Sequence, residues 1–213
     1  MKKIMLAVGK IPYDSLKEEV ISFNETNQMV VVDLLNTSDW NQEKTGLKTY
    51  ILNKEVENDY DNSKFFRIEN DFFDLYKKII NDIRTIVIFE RENFINKHLS
   101  IFNGIHPLKK RIYRCYRILK EERPDIVLFQ STPHHIWFWV FAMTAEYLQV
   151  TVNIVQQTPL PWRFWLVKGV DEQIVCNMNY KKCNIPDSSL LESEQQLIKK
   201  FISQNNGSYL DCP

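Results

Sequence analysis

Residues 124–165 most narrow what this chain can fold into. A short apolar run at 125–130 passes within a few residues into Thr132-Pro133, and a second apolar run follows at 151–155. Threonine is a good N-cap and proline suits the first helical position, so a helix is expected to begin there. Strand, helix and strand in such close succession make a βαβ unit, with parallel strands and a helix crossing one face of the sheet. Open sheets of this kind bind their ligands at the carboxyl edge of the strands, which puts the polar residues after 129 and after 155 on the edge where function is expected.

The same alternation runs along the chain. Residues 3–8 read as a first strand ending at Gly9, and 15–23 as a helix with Leu16, Val20 and Phe23 turned inward. Residues 29–35 are apolar apart from Asp33, as expected of a strand buried on both faces. The stretch 36–64 is polar and turn-rich and reads as loop, with a short strand near 48–52. Phe72, Leu75, Tyr76, Ile79, Ile80 and Ile83 recur at helical spacing over 71–83, and 85–89 reads as a third strand. Pro107 opens a helix to Glu122, whose lysines and arginines read as a solvated face. Arg123-Pro124 ends it, because the residue before proline avoids helical geometry. Residues 125–129, 151–155 and 170–175 read as further strands, and 187–204 as a terminal helix with Leu190, Leu191, Leu197, Ile198, Phe201 and Ile202 on one face. The sum is an α/β protein: a Rossmann-like three-layer α/β/α sandwich with a mainly parallel sheet over residues 1–185, then a C-terminal helix and tail at 186–213.

Composition removes several classes of function. Lys plus Arg and Asp plus Glu are 27 each, so the chain lacks the overall positive field of a nucleic-acid-binding protein, and no nucleic acid is expected as partner. Cys115, Cys176, Cys183 and Cys212 show no Cys-x-x-Cys spacing, and the opening Met-Lys-Lys-Ile-Met-Leu lacks a signal peptide's apolar stretch. Reduced thiols and a cytoplasmic location follow as expectations. The apolar run 136–143 is far shorter than the roughly 20 residues that span a bilayer, which leaves only peripheral contact with the inner face of a membrane. Cys176 and Cys183 have no histidine nearby, so no metal site is expected. No Gly-x-Gly-x-x-Gly and no Gly-x-x-x-x-Gly-Lys occurs, and Ser131 does not sit in a Gly-x-Ser-x-Gly elbow, so dinucleotide, P-loop and serine-hydrolase chemistries lack their usual frames.

What remains polar at the expected edge is a short set. His134 and His135 fall in the first turn of the helix, whose partial positive charge favours the neutral imidazole that a general base requires; packing or capping is the plainer alternative. Adjacent helical residues point about 100° apart, so one of the two, with His134 preferred, is expected to face a shared site. Gln130, Ser131, Thr132, Gln156 and Gln157 end the two strands, where amides and hydroxyls suit a hydroxyl-rich ligand or simply close loops. Arg163, between Trp162 and Phe164, has the fork that pairs with phosphate or carboxylate, or is an ordinary surface arginine. The carboxylates of Glu90-Arg91-Glu92 read first as a solvated cluster and second as a candidate base. The aromatic helix 136–143 is apolar all round, which indicates burial on several sides, or one face covered by a partner.

The stretch from Pro124 to His135, Pro-Asp-Ile-Val-Leu-Phe-Gln-Ser-Thr-Pro-His-His, with Ala145-x-x-Leu148 and Gln156-Gln-Thr-Pro-Leu-Pro-Trp-Arg-Phe164, resembles the N-terminal half of bacterial capsular and surface polysaccharide biosynthesis proteins of the GT-B glycosyltransferase type. The resemblance covers about 40 residues and is topological elsewhere. It implies an acceptor-side domain whose Pro133-His134 turn faces an interdomain cleft, with the histidine acting on an acceptor hydroxyl and Gln157 and Arg163 one strand away, the arginine holding an anionic group. It also implies a sugar or lipid-linked sugar acceptor, no cofactor bound by this domain, and a nucleotide-sugar donor held mainly by a second glycosyltransferase domain or subunit. The residues after Cys183 are too few to build that second domain, and the Gly-rich turn often found after the first strand of that fold is absent. An N-terminal fragment, half of a split enzyme or a degenerate relative is therefore expected. A non-catalytic interaction module docking through the aromatic helix and the 162–165 loop is the alternative from another class.

Overall fold

The computed structural model describes residues 1–9, 13–35, 40, 42–52, 70–96, 101–157, 164–171 and 173–174. Those up to Val175 belong to one compact unit, Met1–Val175; the boundary expected at 185 and the helix expected at 187–204 lie outside the described residues.

Seven strands form one sheet in the order β3-β2-β1-β4-β5-β6-β7. They are β1 (Lys3–Val8), β2 (Gln28–Asp33), β3 (Lys48–Ile51), β4 (Ile126–Phe129), β5 (Thr151–Gln157), β6 (Phe164–Lys168) and β7 (Gln173–Ile174). The first five are parallel, with Leu6 level with Val31 on one side and Leu128 on the other; β6 pairs antiparallel with β5, and β7 antiparallel with β6. The chain winds outward from β1 to β3 and then crosses back to β4 beside β1. The strand order therefore reverses between β1 and β4, which is the topological switch point of a Rossmann-type sheet.

Side-chain alternation sorts the sheet into two cores. Met5, Ala7, Val30, Val32, Val127, Phe129, Val152 and Ile154 point to one face, against Phe72, Leu75 and Ile79 of α3 (Asn70–Asn81), Ile112, Cys115 and Leu119 of α5 (Ile101–Glu122), and α6 (Ile136–Tyr147). Val8 and Val31 point to the other, with Val20 of α1 (Lys17–Thr26), Tyr13, Trp40 and Leu47. Three layers result, as the strand pattern predicts. The short α2 (Gln42–Thr45) precedes β3. No helix among the described residues is long and apolar enough to cross a membrane.

Four expectations are corrected. Residues 85–89 are not a strand but lie within α4 (Ile83–Asn96). Asp82 starts that helix: its carboxylate accepts the Arg84 amide at 2.8 Å, an N-cap bond that outweighs the β-branched run behind it. Helix α5 begins at Ile101, upstream of Pro107. The strand expected at 170–175 is present but confined to the two-residue β7, and an unexpected strand, β6, precedes it across a turn through Gly169, whose φ of 77° suits glycine. Helix α6 starts at Ile136 with His135 as its N-cap residue, not at Thr132-Pro133. All of Ile136–Ala145 is buried within this unit, so the aromatic helix is a core element and offers no face to a partner. This removes the helix half of the interaction-module alternative.

Candidate functional site

At the switch point Gly9 follows β1 and Gln130 follows β4, the two joined by the Gln130 backbone amide bonding to the Ala7 carbonyl at 3.3 Å. Glycine leaves room here for a close approach of side chains. A β-carbon on Gly9 would stand 2.8 Å from Gln130 Nε2 and 3.2 Å from both Leu35 Cδ1 and Phe138 Cζ. The Gln130 side chain thus lies directly over the first strand's end. Its Oε1 is buried and has no hydrogen-bond partner among the described residues. An unmet buried acceptor costs about 1–3 kcal/mol, a cost that a ligand hydroxyl would relieve. Asp33, at the end of β2, is 1% exposed and accepts the Leu35 amide at 3.0 Å, so it closes its own turn.

The segment after β4 carries Ser131 and Thr132, both half-buried, then buried Pro133, exposed His134 and half-exposed His135. His134 Nδ1 lies 2.8 Å from the Thr132 carbonyl oxygen. A carbonyl only accepts, so Nδ1 must carry the proton; in the neutral ring the lone pair then sits on Nε2. The rings of His134 and His135 are 4.4 Å apart at 44°.

Helix α4 braces this turn in a way the sequence reading missed. Arg91 Nη2 donates to the His134 carbonyl. Glu92 Oε1 accepts the Ile136 amide at 2.5 Å and lies 3.4 Å from His135 Nδ1, while Arg111 stands 4.0 Å from its other oxygen. The amino end of α6, where the helix dipole favours negative charge, thus already holds the chain's own carboxylate. Glu92 is also an orienting partner for His135. The only prior signal was the Glu90-Arg91-Glu92 run, and its role depended on 85–92 being helical.

On the far side of β4, Gln156 shares a sheet face with Ile154, two residues before it on β5, and lines a cavity of about 180 Å³ with Thr132 and Pro133. Gln157 pairs with Phe164 across β5 and β6, but its side chain is outside the described residues, as is Arg163 entirely. The structure therefore brings Gln130, Ser131, Thr132, His134, His135 and Gln156 to one edge. Among the described residues no three His, Cys, Asp or Glu side chains converge as a metal site requires.

Strand order, crossovers and a polar carboxyl edge at the switch point define a Rossmann-type α/β domain. No protein-family model matches the sequence, and no curated protein does. Among solved structures it is similar to one titled S. aureus MnaA-UDP co-structure, at 18% identity and a TM-score of 0.36, over 73% of this chain and 29% of that one. The chain spans less than a third of that structure's length. The fold assignment rests on the topology described above.

Proposed function

We propose that this domain supplies the acceptor side of glycosyl transfer in capsular or surface polysaccharide synthesis, at the cytoplasmic face of the membrane. A second domain or subunit holds the nucleotide-sugar donor. The observation that carries this reading is His134: its Nδ1 proton is committed to the Thr132 carbonyl, which leaves Nε2 as a base on the exposed edge. In the reaction an acceptor hydroxyl, oriented by Thr132 or Gln156, attacks the donor's anomeric carbon. His134 Nε2 takes the hydroxyl proton, and the nucleoside diphosphate departs with the electrons of the broken glycosidic bond. His135, backed by Glu92, stabilises positive charge next to it.

The test is the melting temperature of the chain against nucleotides, nucleotide-sugars and neutral glycosides. A ligand at 100 times its Kd stabilises by about 2.7 kcal/mol. Glycosides are expected to raise the midpoint and nucleotides to leave it unchanged; a clear shift with a nucleotide alone would place the donor site here and end the half-enzyme reading.

The interaction-module reading keeps one observation. On α4, Ile83, Ile86 and Val87 are 68%, 44% and 59% exposed, a stripe at helical spacing. Val87→Glu tests it: if the domain's role is assembly alone, that change abolishes function while His134→Ala leaves it intact.

A further inference from the structure

The cavity beside the candidate edge is walled by Arg84, the obvious residue to catch a phosphate. It is not available for one. Its Nε and Nη2 bond to Asp82 at 3.0 and 2.8 Å, its Nη1 bonds to Asp171 at 2.6 Å, and its guanidinium lies 4.7 Å over the Trp139 ring. Two carboxylates already satisfy that guanidinium, so an anion entering the cavity finds no free charged fork on this wall. The remaining lining divides cleanly. Trp139, Val167 and Val170 are apolar and nearly buried, whereas Thr132 and Gln156 each present hydrogen-bonding groups.

Size narrows the occupant further. An apolar cavity of about 150 Å³ holds a benzene; 180 Å³ takes one six-membered ring with small substituents and falls below the roughly 300 Å³ from which pockets for drug-sized ligands run, so a base and a ribose together do not fit. A purely apolar ring would strip water from Thr132 and Gln156 without replacing its hydrogen bonds. We propose that this cavity is a subsite for one uncharged, hydroxylated six-membered ring, its C–H face on Val167, Val170 and the part of Trp139 that Arg84 leaves uncovered, and its hydroxyls on Thr132 and Gln156. The inference rests on the acceptor-side reading and deepens it: the group that enters is a neutral pyranose, not a phosphorylated one.

Methyl-resolved NMR of the full chain tests this with three probes: methyl glucopyranoside, inorganic phosphate and benzene. The glycoside is expected to shift the methyls of Ile154, Val167 and Val170 and to leave Val31, on the opposite face, unmoved; phosphate and benzene are expected to shift none. Thr132→Val should weaken the glycoside about 5-fold, the loss of one neutral hydrogen bond. Val170→Phe should abolish its shifts by filling the cavity, and Val167→Ile, a smaller addition, should weaken them if the first variant does not fold. Shifts of these methyls with benzene or phosphate, or none with the glycoside, would overturn the proposal. Failure of the acceptor-side reading looks different. The glycoside would still shift these methyls, while His134→Ala would leave transfer by the complete system unchanged.

Discussion

Gly9 and His134 show how single residues set this edge. Because the atom a β-carbon on Gly9 would meet first, at 2.8 Å, is the swinging end of Gln130, with Leu35 and Phe138 at 3.2 Å, Gly9→Ala is expected to move the Gln130 side chain at a cost of about 1 kcal/mol or less. Chemical denaturation checks this, and the same variant displaces the Gln130 amide from the switch point. His134→Ala should behave in the opposite way. The ring is exposed and its only described polar bond is to the Thr132 carbonyl, so melting should barely move, while transfer by the complete system should fall by about 10²–10⁴-fold, the contribution of a general base. His134→Asn, which can still bond that carbonyl, should not restore activity if the Nε2 lone pair is what matters. Both histidines and Gln130 were legible in the sequence because a strand end followed by Thr-Pro-His-His marks an edge. Glu92 and Arg91 were not, since their partners are more than forty residues away along the chain.

At the scale of elements, α4 and α6 act as a pair. Trp139 Nε1 donates to Thr85 Oγ1 at 2.8 Å inside the core, and Glu92 caps the start of α6 from outside. Glu92→Ala removes an acceptor and a negative charge from a helix amino end. It should cost about 1–2 kcal/mol in urea unfolding, with less loss for Glu92→Gln, which keeps an acceptor. The pairing also explains the misreading of 85–89. Ile-Val-Ile-Phe is a run that periodicity cannot assign between a buried strand and a buried helix, and Asp82 decides it locally by capping. Strands β1, β2, β4 and β5 were legible because apolar runs bounded by turns have one reading in a parallel sheet. β6 was hidden, its short run sitting among the aromatic residues of an apparent loop.

Across the whole molecule, the opposite end of the sheet is held by a buried charge cluster. Glu122, 3% exposed at its side chain, bonds to Lys3 at 2.6 Å, to Lys48 at 2.5 Å and to the Tyr50 hydroxyl, and so joins α5 to β1 and β3. Burial alone would raise its carboxyl, but the hydrogen bonds from Lys3, Lys48 and Tyr50 outweigh burial and hold it at about 2. Burial and the bond to Glu122 push the Tyr50 hydroxyl to about 12. A carboxyl depressed on folding stabilises above its unfolded value, near 4.3, and that stability is lost as pH falls through the folded value. The midpoint of unfolding is therefore expected to drop between about pH 5 and pH 2. Glu122→Gln should cost about 1–2 kcal/mol at neutral pH, limited by solvent around half-exposed Lys48, and should flatten that acid slope.

The sequence by itself determined the α/β class, the parallel strands and the edge where polar residues gather, because hydrophobic period and turn residues act over a few positions and leave a local signature. Tertiary structure alone decided that 85–89 is helical, that α6 begins at Ile136 under Glu92, that Gln130 lies over Gly9, and that Arg84 is spent on Asp82 and Asp171. Each of these is a contact between segments distant along the chain. Its energy depends on which surfaces the fold brings together, and no local pattern encodes that.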